Sequence, residues 1–182
     1  CKVIADAMKE LNFNDVRFDM TFSRNEKFTA NGVDVAEFII STNVGEDMRP
    51  LVDVASGGEL SRVMLAIKSV VSETTDTPTL IFDEIDTGIS GKAANSTGEK
   101  MKKISKKHQV LCVTHLASIA AKGDYNYFVS KKVENGKTKT RIKKLNENEL
   151  LEEIARISSG TVSTITINHA KELRKMSLKN IA

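Results

Sequence analysis

Two apolar runs constrain this chain more than any other feature: Thr79-Leu80-Ile81-Phe82 and Gln109-Val110-Leu111-Cys112-Val113-Thr114. Both are short, and neither shows the polar–apolar alternation of a half-solvated strand. Each therefore reads as a strand buried on both faces. Between them lie a glycine-bearing loop and a basic helix from about Lys92 to Lys106. Strand, helix, strand in that order predicts a parallel pair inside an α/β fold. The 182 residues, 40% hydrophobic and 28% charged, are enough for a globular core.

The flanking segments have other periods. Val3, Ile4, Ala7, Met8 and Leu11 fall at helical spacing and predict a helix over 1–11. Val16, Phe18 and Met20 alternate as a strand, and Val33, Val35, Phe38, Ile39 and Ile40 predict its partner beyond an Asn31-Gly32 turn. Leu60, Val63, Met64, Ile67, Val70 and Val71 share one stripe of a helix that breaks between Thr74 and Pro78. A hairpin about Asn135-Gly136 spans roughly 125–145. Helices near 147–158 and 163–177 follow, separated by Ser158-Ser159-Gly160. No apolar run approaches the roughly 20 residues of a membrane span. Cys1 and Cys112 form no disulfide or metal pattern, which predicts a reducing compartment. With no Trp and 5% aromatic residues, a base-stacking surface for single strands is not expected.

Three positions carry chemistry. The first apolar run ends in Asp83-Glu84, at the carboxyl end of a strand, where α/β sheets bind ligands. An aspartate there can hold Mg²⁺, and the adjacent glutamate can act as general base toward water. An acidic loop after any buried strand would have the same wording. Ser56-Gly57-Gly58-Glu59 stands at a helix start, where free N–H groups and the helix dipole favour phosphate. An ordinary serine-capped helix also begins this way. His115 follows the second run, either as a strand-end histidine held by the backbone or as a donor to a phosphate oxygen. The three gain specificity from their order: Ser-Gly-Gly-Glu, Asp-Glu about 25 residues on, and His about 30 further.

That order resembles the ABC-type ATPase head, with signature motif, Walker B, D-loop at Asp86-Thr87-Gly88-Ile89-Ser90-Gly91 and switch histidine. The wording is closer still to RecN, a family of bacterial DNA double-strand-break repair ATPases related to SMC proteins. Val54 through Arg62, Thr79 through Gly91, Val113-Thr114-His115-Leu116 and Arg156-Ile157-Ser158-Ser159-Gly160 carry the likeness, as does the later His169-Ala170-Lys171-Glu172-Leu173. The resemblance implies that Asp83 holds Mg²⁺, Glu84 activates the hydrolytic water and His115 contacts the γ-phosphate. Ser56, Gly57, Gly58 and Glu59 would grip ATP bound to the opposite head, and Asp86, Thr87 and Gly88 would communicate across the dimer.

No Gly-x-x-x-x-Gly-Lys-[Ser/Thr] stretch occurs, and the Gly91-Lys92 and Gly136-Lys137 pairs do not fit one. The expectation is thus the C-terminal half of an ABC-type P-loop NTPase head, lacking the P-loop. It would have a mostly parallel sheet, antiparallel edge strands and flanking helices. Residues 1–11 would end a coiled-coil arm cut at Cys1. Residues 12–75 would form a signature-bearing lobe, and 76–182 the Walker B and switch-histidine core with the C-terminal helices. The implied partners are the chain's own N-terminal head half with Walker A and Q-loop, a second head as homodimer, and DNA, with ATP and Mg²⁺ as cofactors and no membrane. The implied place is the bacterial cytoplasm, at the nucleoid. Two other readings are an SMC-type DNA clamp in which ATP gates dimerisation, and a fragment of a transporter's nucleotide-binding domain. The Asp83–Gly91 wording disfavours the transporter.

One charge feature stands apart. The formal charge is only +3, yet Lys131 to Lys144 holds seven basic residues and one acid, a local +6. Lys137, Lys139, Arg141 and Lys143 recur every second residue and so share one strand face. Lysine-guarded edge strands are common; a sequence-independent contact to a DNA backbone is the sharper reading.

Overall fold

A computed structural model describes residues 1–53, 56–71, 76–134 and 136–179. Val54-Ala55, part of the expected break at 74–78, and Asn135 of the second turn lie outside the described residues. The chain divides into two compact units, Cys1–Thr114 and His115–Ala182.

The first unit opens with helix α1 (Lys2–Lys9), whose end is followed by a turn containing Asn12 at φ +73°. Strands β1 (Arg17–Thr29) and β2 (Gly32–Ser41) pair antiparallel, with Phe18 opposite Ile40 and Met20 opposite Phe38. The Phe18 and Phe38 rings stack at 5.1 Å. Gly32, at φ +93°, closes the expected turn. Strand β3 (Arg49–Pro50) extends this sheet to three strands. β1 runs past Met20 into Ser23–Lys27, where neither face is apolar; its partners continue to Arg24, and the ladder is irregular from there until Thr29 meets Gly32.

Helix α2 (Gly57–Val71) packs against α1 and against α3 (Gly91–Ile104). Its buried residues are Gly58, Arg62, Val63, Leu65 and Ala66. This corrects the expected stripe: Leu60 and Met64 are exposed and instead line a groove of about 300 Å³ with Lys68, Leu80, Ile81 and Phe82. The physical reason is Arg62. Backbone carbonyls receive its guanidinium inside the fold, so a charged residue takes a position that amphipathic patterning gives to an apolar one.

Strands β4 (Thr79–Phe82) and β5 (Gln109–Cys112) are parallel and paired residue for residue, with α3 between them in the chain. Among the described residues this is the parallel part of the fold. The antiparallel pairs are sheets of their own and not edges of it. Burial on both faces is also corrected. Leu80 and Phe82 face inward, while Ile81 (70% exposed), Leu111 and Val113 leave an apolar face open.

The second unit packs α4 (Ala117–Ala120) on α5 (Glu147–Ser159), and α5 on α6 (Thr164–Lys179). Ala120, Ala121, Leu150, Leu151, Ile154, Ala155 and Ala170 form its core. The Arg174 guanidinium donates to the carbonyls of Ala121 (2.7 Å) and Gly123 (2.8 Å) and so stoppers the end of α4. Strands β6 (Tyr127–Glu134) and β7 (Lys137–Lys144) form the expected hairpin.

Helix α5 begins with a capping box. The Asn146 side chain accepts from the Glu149 N–H (3.0 Å), and the Glu149 carboxylate accepts from the Asn146 N–H (3.1 Å). It ends at Gly160 in the left-handed region, φ +74°. Asn146→Ala is expected to cost about 1 kcal/mol in urea unfolding near neutral pH. The Lys143 hydrogen bond, followed by the Asn146 N–H, holds the Glu149 pKa below the ordinary glutamate value. The carboxylate's share of the cap is therefore present above that ordinary value and lost as pH falls through the lowered one. Alanine keeps the N–H of residue 146, so this loss falls on wild type and mutant alike: both should lose stability on acidification while the difference between them stays near that value.

Candidate functional site

The first unit carries Asp83, Glu84 and Asp86 at the carboxyl end of the parallel pair. β4 delivers Asp83, whose Oδ1 accepts the Glu84 N–H at 2.9 Å. Glu84 then turns the chain through the left-handed region, φ +56°, an unusual conformation for a glutamate. Its carbonyl accepts the Thr87 N–H (3.0 Å), which closes a tight turn. Asp83 and Glu84 are exposed, as are Thr87 and Gly88.

Asp86 behaves differently. It is 2% exposed, and its Oδ2 accepts the Thr114 hydroxyl at 2.6 Å, across to the residues following β5. An inward carboxylate shapes the loop. Thr87 and Gly88 beside it face solvent.

Helix α2 begins where the phosphate reading places it. Ser56 Oγ accepts the Glu59 N–H (3.2 Å), so the serine caps the helix. The glycines meet the acidic turn directly. A Cβ on Gly57 would lie 2.6 Å from a Glu84 carboxylate oxygen. A Cβ on Gly58 would lie 2.9 Å from Thr87 Cβ and 3.0 Å from the carbonyl oxygens of Glu84 and Thr87. Close approach of the turn's backbone thus requires the second glycine within this chain, whatever else it binds, whereas at Gly57 only the movable end of the Glu84 side chain stands in the way.

Two residues that the sequence offered without a role fix that approach. The Ser61 hydroxyl donates to the Asp83 carbonyl at 2.9 Å. Arg62, 7% exposed, donates from Nη1 to the carbonyls of Thr87 (2.8 Å) and Ile85 (3.5 Å). Burial lowers the Arg62 pKa, and Glu59 partly opposes this. The buried Arg62 Nε has no acceptor among the described residues. Such an orphan donor costs about 1–3 kcal/mol, so other contacts must hold the side chain in place.

The chemistry of the carboxylates fits a magnesium ion that arrives with a nucleotide. Among the described residues no group of three or more acidic, histidine or cysteine side chains forms a metal cage. Magnesium ordinarily takes one or two protein carboxylates and completes its shell with phosphate oxygens and water. Burial pushes the Cys112 thiol up to about 12, with Asp86 and then Asp83 adding to the rise. The strand ends therefore carry a negative field that a cation would relieve.

Sequence comparison gives the setting. "DNA repair protein RecN" of Bacillus subtilis is 45% identical over 92% of this chain. The RecN of Deinococcus radiodurans is 44% identical over 91%, and that of Vibrio cholerae 40% over 94%. The chain belongs to the RecN family. No protein-family model matches it. This RecN-family chain spans about a third of the length of these relatives: 32%, 29% and 31%. Among solved structures, an Smc head domain with coiled coil and joint from Pyrococcus yayanosii matches with TM-score 0.60 and 18% identity, over 87% of this chain and 29% of that one. A structure from work on ATP-driven dimerisation of SMC ATPases matches with TM-score 0.50 and 17% identity, over 88% and 92%. At that identity the likeness establishes the fold alone, that of an SMC-type head.

The remaining predicted residues lie in the second unit. His115 opens it and is exposed. On the hairpin, Lys139 and Arg141 both pair with Glu134, and Lys143 pairs with Glu149. Lys137, Lys139, Arg141 and Lys143 share a face with Lys132, as their spacing predicted, and all are exposed. Three of the four thus carry a local carboxylate partner. On the opposite face, Val129, Val133 and Ile142 are exposed.

Proposed function

We propose that this chain is the C-terminal half of a RecN ATPase head acting in DNA double-strand-break repair and recombination, and that the complete protein hydrolyses ATP between two engaged heads. The observation that carries this reading is the Asp83-Glu84 pair at the carboxyl end of β4, held by Ser61 and Arg62 of α2. Magnesium, bound by Asp83 and the phosphates, would supply charge neutralisation at the transferring phosphoryl group. Glu84 takes the proton of the attacking water. Ser56, Gly57, Gly58 and Glu59, at the N-terminus of α2, receive the γ-phosphate of ATP on the second head. His115 donates to the same phosphate, and Thr87 and Gly88 meet the other head.

The N-terminal half of the head, with Walker A and Q-loop, docks on the open apolar face of Ile81, Leu111 and Val113. Residues 1–11 join the arm to the lobe at 12–75, and 76–182 carry the acid pair and switch histidine. The protein works in the bacterial cytoplasm at the nucleoid; no helix among the described residues is long and apolar enough to cross a membrane.

The test is ATP turnover by the complete protein, by this chain alone and by this chain mixed with its N-terminal half. Turnover is expected in the first and third only. A rate in the isolated chain comparable to the complete protein, and lost on Glu84→Gln, would overturn the division of labour.

The likeness to SMC heads favours a second emphasis, a DNA clamp in which ATP gates assembly. DNA tethering that persists in a hydrolysis-dead complete protein would support it.

The hairpin supplies a sequence-independent DNA contact in this proposal. Ion pairs with Glu134 and Glu149 weaken but do not erase its positive charge, because exposed pairs bind loosely. Reversing Lys139 and Arg141 to glutamate in the complete protein should lower DNA affinity at low salt and flatten its salt dependence. Unchanged affinity and unchanged DNA-stimulated ATPase would remove the hairpin from the interface.

A further inference from the structure

Among the described residues, Arg62 holds a buried position without an ion pair to a buried carboxylate. Its donors go to two backbone carbonyls of the acidic turn, those of Ile85 and Thr87. Its guanidinium carbon lies 5.4 Å from the centroid of the Phe13 ring. Phe13 is itself buried, 5% exposed, in the turn that follows α1, and its N–H donates to the carbonyl of Met8 in α1 at 3.3 Å. One side chain therefore links three parts of the first unit: α2, from which it projects, the turn bearing Glu84 and Asp86, and, through Phe13, the turn that is bonded to the end of α1. A guanidinium suits this task because its donors lie in its plane while its flat face stacks on an aromatic ring. Lysine keeps the charge but has neither the plane nor the fork.

We propose that Arg62 is a positioning residue that sets the 83–88 turn against α2 and, through Phe13, couples that turn to the end of α1. A displacement of α1 then reaches Glu84 through a contiguous packed contact, with Ser61 fixing the other end of the turn at the Asp83 carbonyl. This inference rests on the proposed ATPase for its catalytic consequence, and on geometry alone for its structural one.

The experiment uses the complete protein with Arg62→Lys and Phe13→Leu. In Arg62→Lys, kcat for ATP is expected to fall at least about tenfold while KM stays within about twofold, because the acid is misplaced and the nucleotide site is untouched. Phe13→Leu should shift kcat in the same direction by a smaller factor. Amide exchange over 84–88 should rise in both, with β5 amides at 109–112 unchanged. An unchanged kcat in Arg62→Lys overturns the proposal. So does a kcat loss matched by a rise in KM, or exchange that rises evenly across 1–114, since any of these marks a merely structural residue. If the wild type hydrolyses no ATP, or Glu84→Gln leaves its rate intact, the proposed activity fails instead. Exchange over 84–88 then still decides the role of Arg62, and unaltered exchange there overturns it.

Discussion

Glu84→Gln in the complete protein is expected to reduce ATP turnover by about 10²–10⁴-fold, the usual contribution of a positioned general base. The substitution is informative because so little else changes. Glutamine has the same shape, and its side chain branches no nearer the backbone, so the cost of holding φ at +56° is nearly the same in both proteins. The Glu84 carbonyl keeps its bond from the Thr87 N–H, and Asp83 keeps its bond from the residue 84 N–H. What is lost is proton acceptance and one negative charge beside the start of α2. Nucleotide binding should therefore persist while phosphate release stops. Steady-state phosphate release measured beside retention of labelled ATP checks this. A mutant that loses both would show a damaged site instead of a missing base.

How far the sequence spoke depends on whether apolar pattern or polar contact set each feature. The β4–α3–β5 unit was legible because two uninterrupted apolar runs leave few alternatives. The α5 boundaries were legible because Asn146, Glu149 and Gly160 satisfy helix ends in ways that only a few residue types can. The buried face of α2 was misassigned because patterning treats arginine as solvent-facing, whereas the carbonyls that accept Arg62 come from a turn 23 and 25 residues away. The far half of β1 gave no signal because polar residues on both faces set no period, and beyond Arg24 the pairing is itself irregular until Thr29 meets Gly32. Burial of β4 on both faces was expected because an apolar run gives the hydropathy of each residue but not what covers it. Ile81 and Leu111 are neighbours on the open face. Asp86 illustrates the same limit: hydropathy gives no sign that its carboxylate accepts the Thr114 hydroxyl inside the chain, and the resemblance speaks only to its loop's part across a dimer.

The signature glycines give the second large effect, and a contrast between neighbours. Gly58→Ala is expected to destabilise this chain by about 2 kcal/mol, within the range for overpacking a tight site. The new Cβ would stand within 3.0 Å of three atoms, two of them the carbonyl oxygens of Glu84 and Thr87. Those oxygens cannot retreat freely, since the first accepts the Thr87 N–H and the second the Arg62 guanidinium. Alanine's better helix propensity, up to about 1 kcal/mol, offsets only part of the strain. Gly57→Ala should behave otherwise. Its Cβ would meet the end of the Glu84 side chain, which can rotate aside, so the expected loss of stability is under about 0.5 kcal/mol. Urea unfolding of the two variants without nucleotide, followed by circular dichroism, separates them. If approach to a phosphate were the whole reason for both glycines, the two midpoints would match the wild type. A lowered midpoint for Gly58→Ala alone means that the second glycine serves the chain's own acidic turn, and that a signature motif can be constrained from within its own head before any ATP is shared.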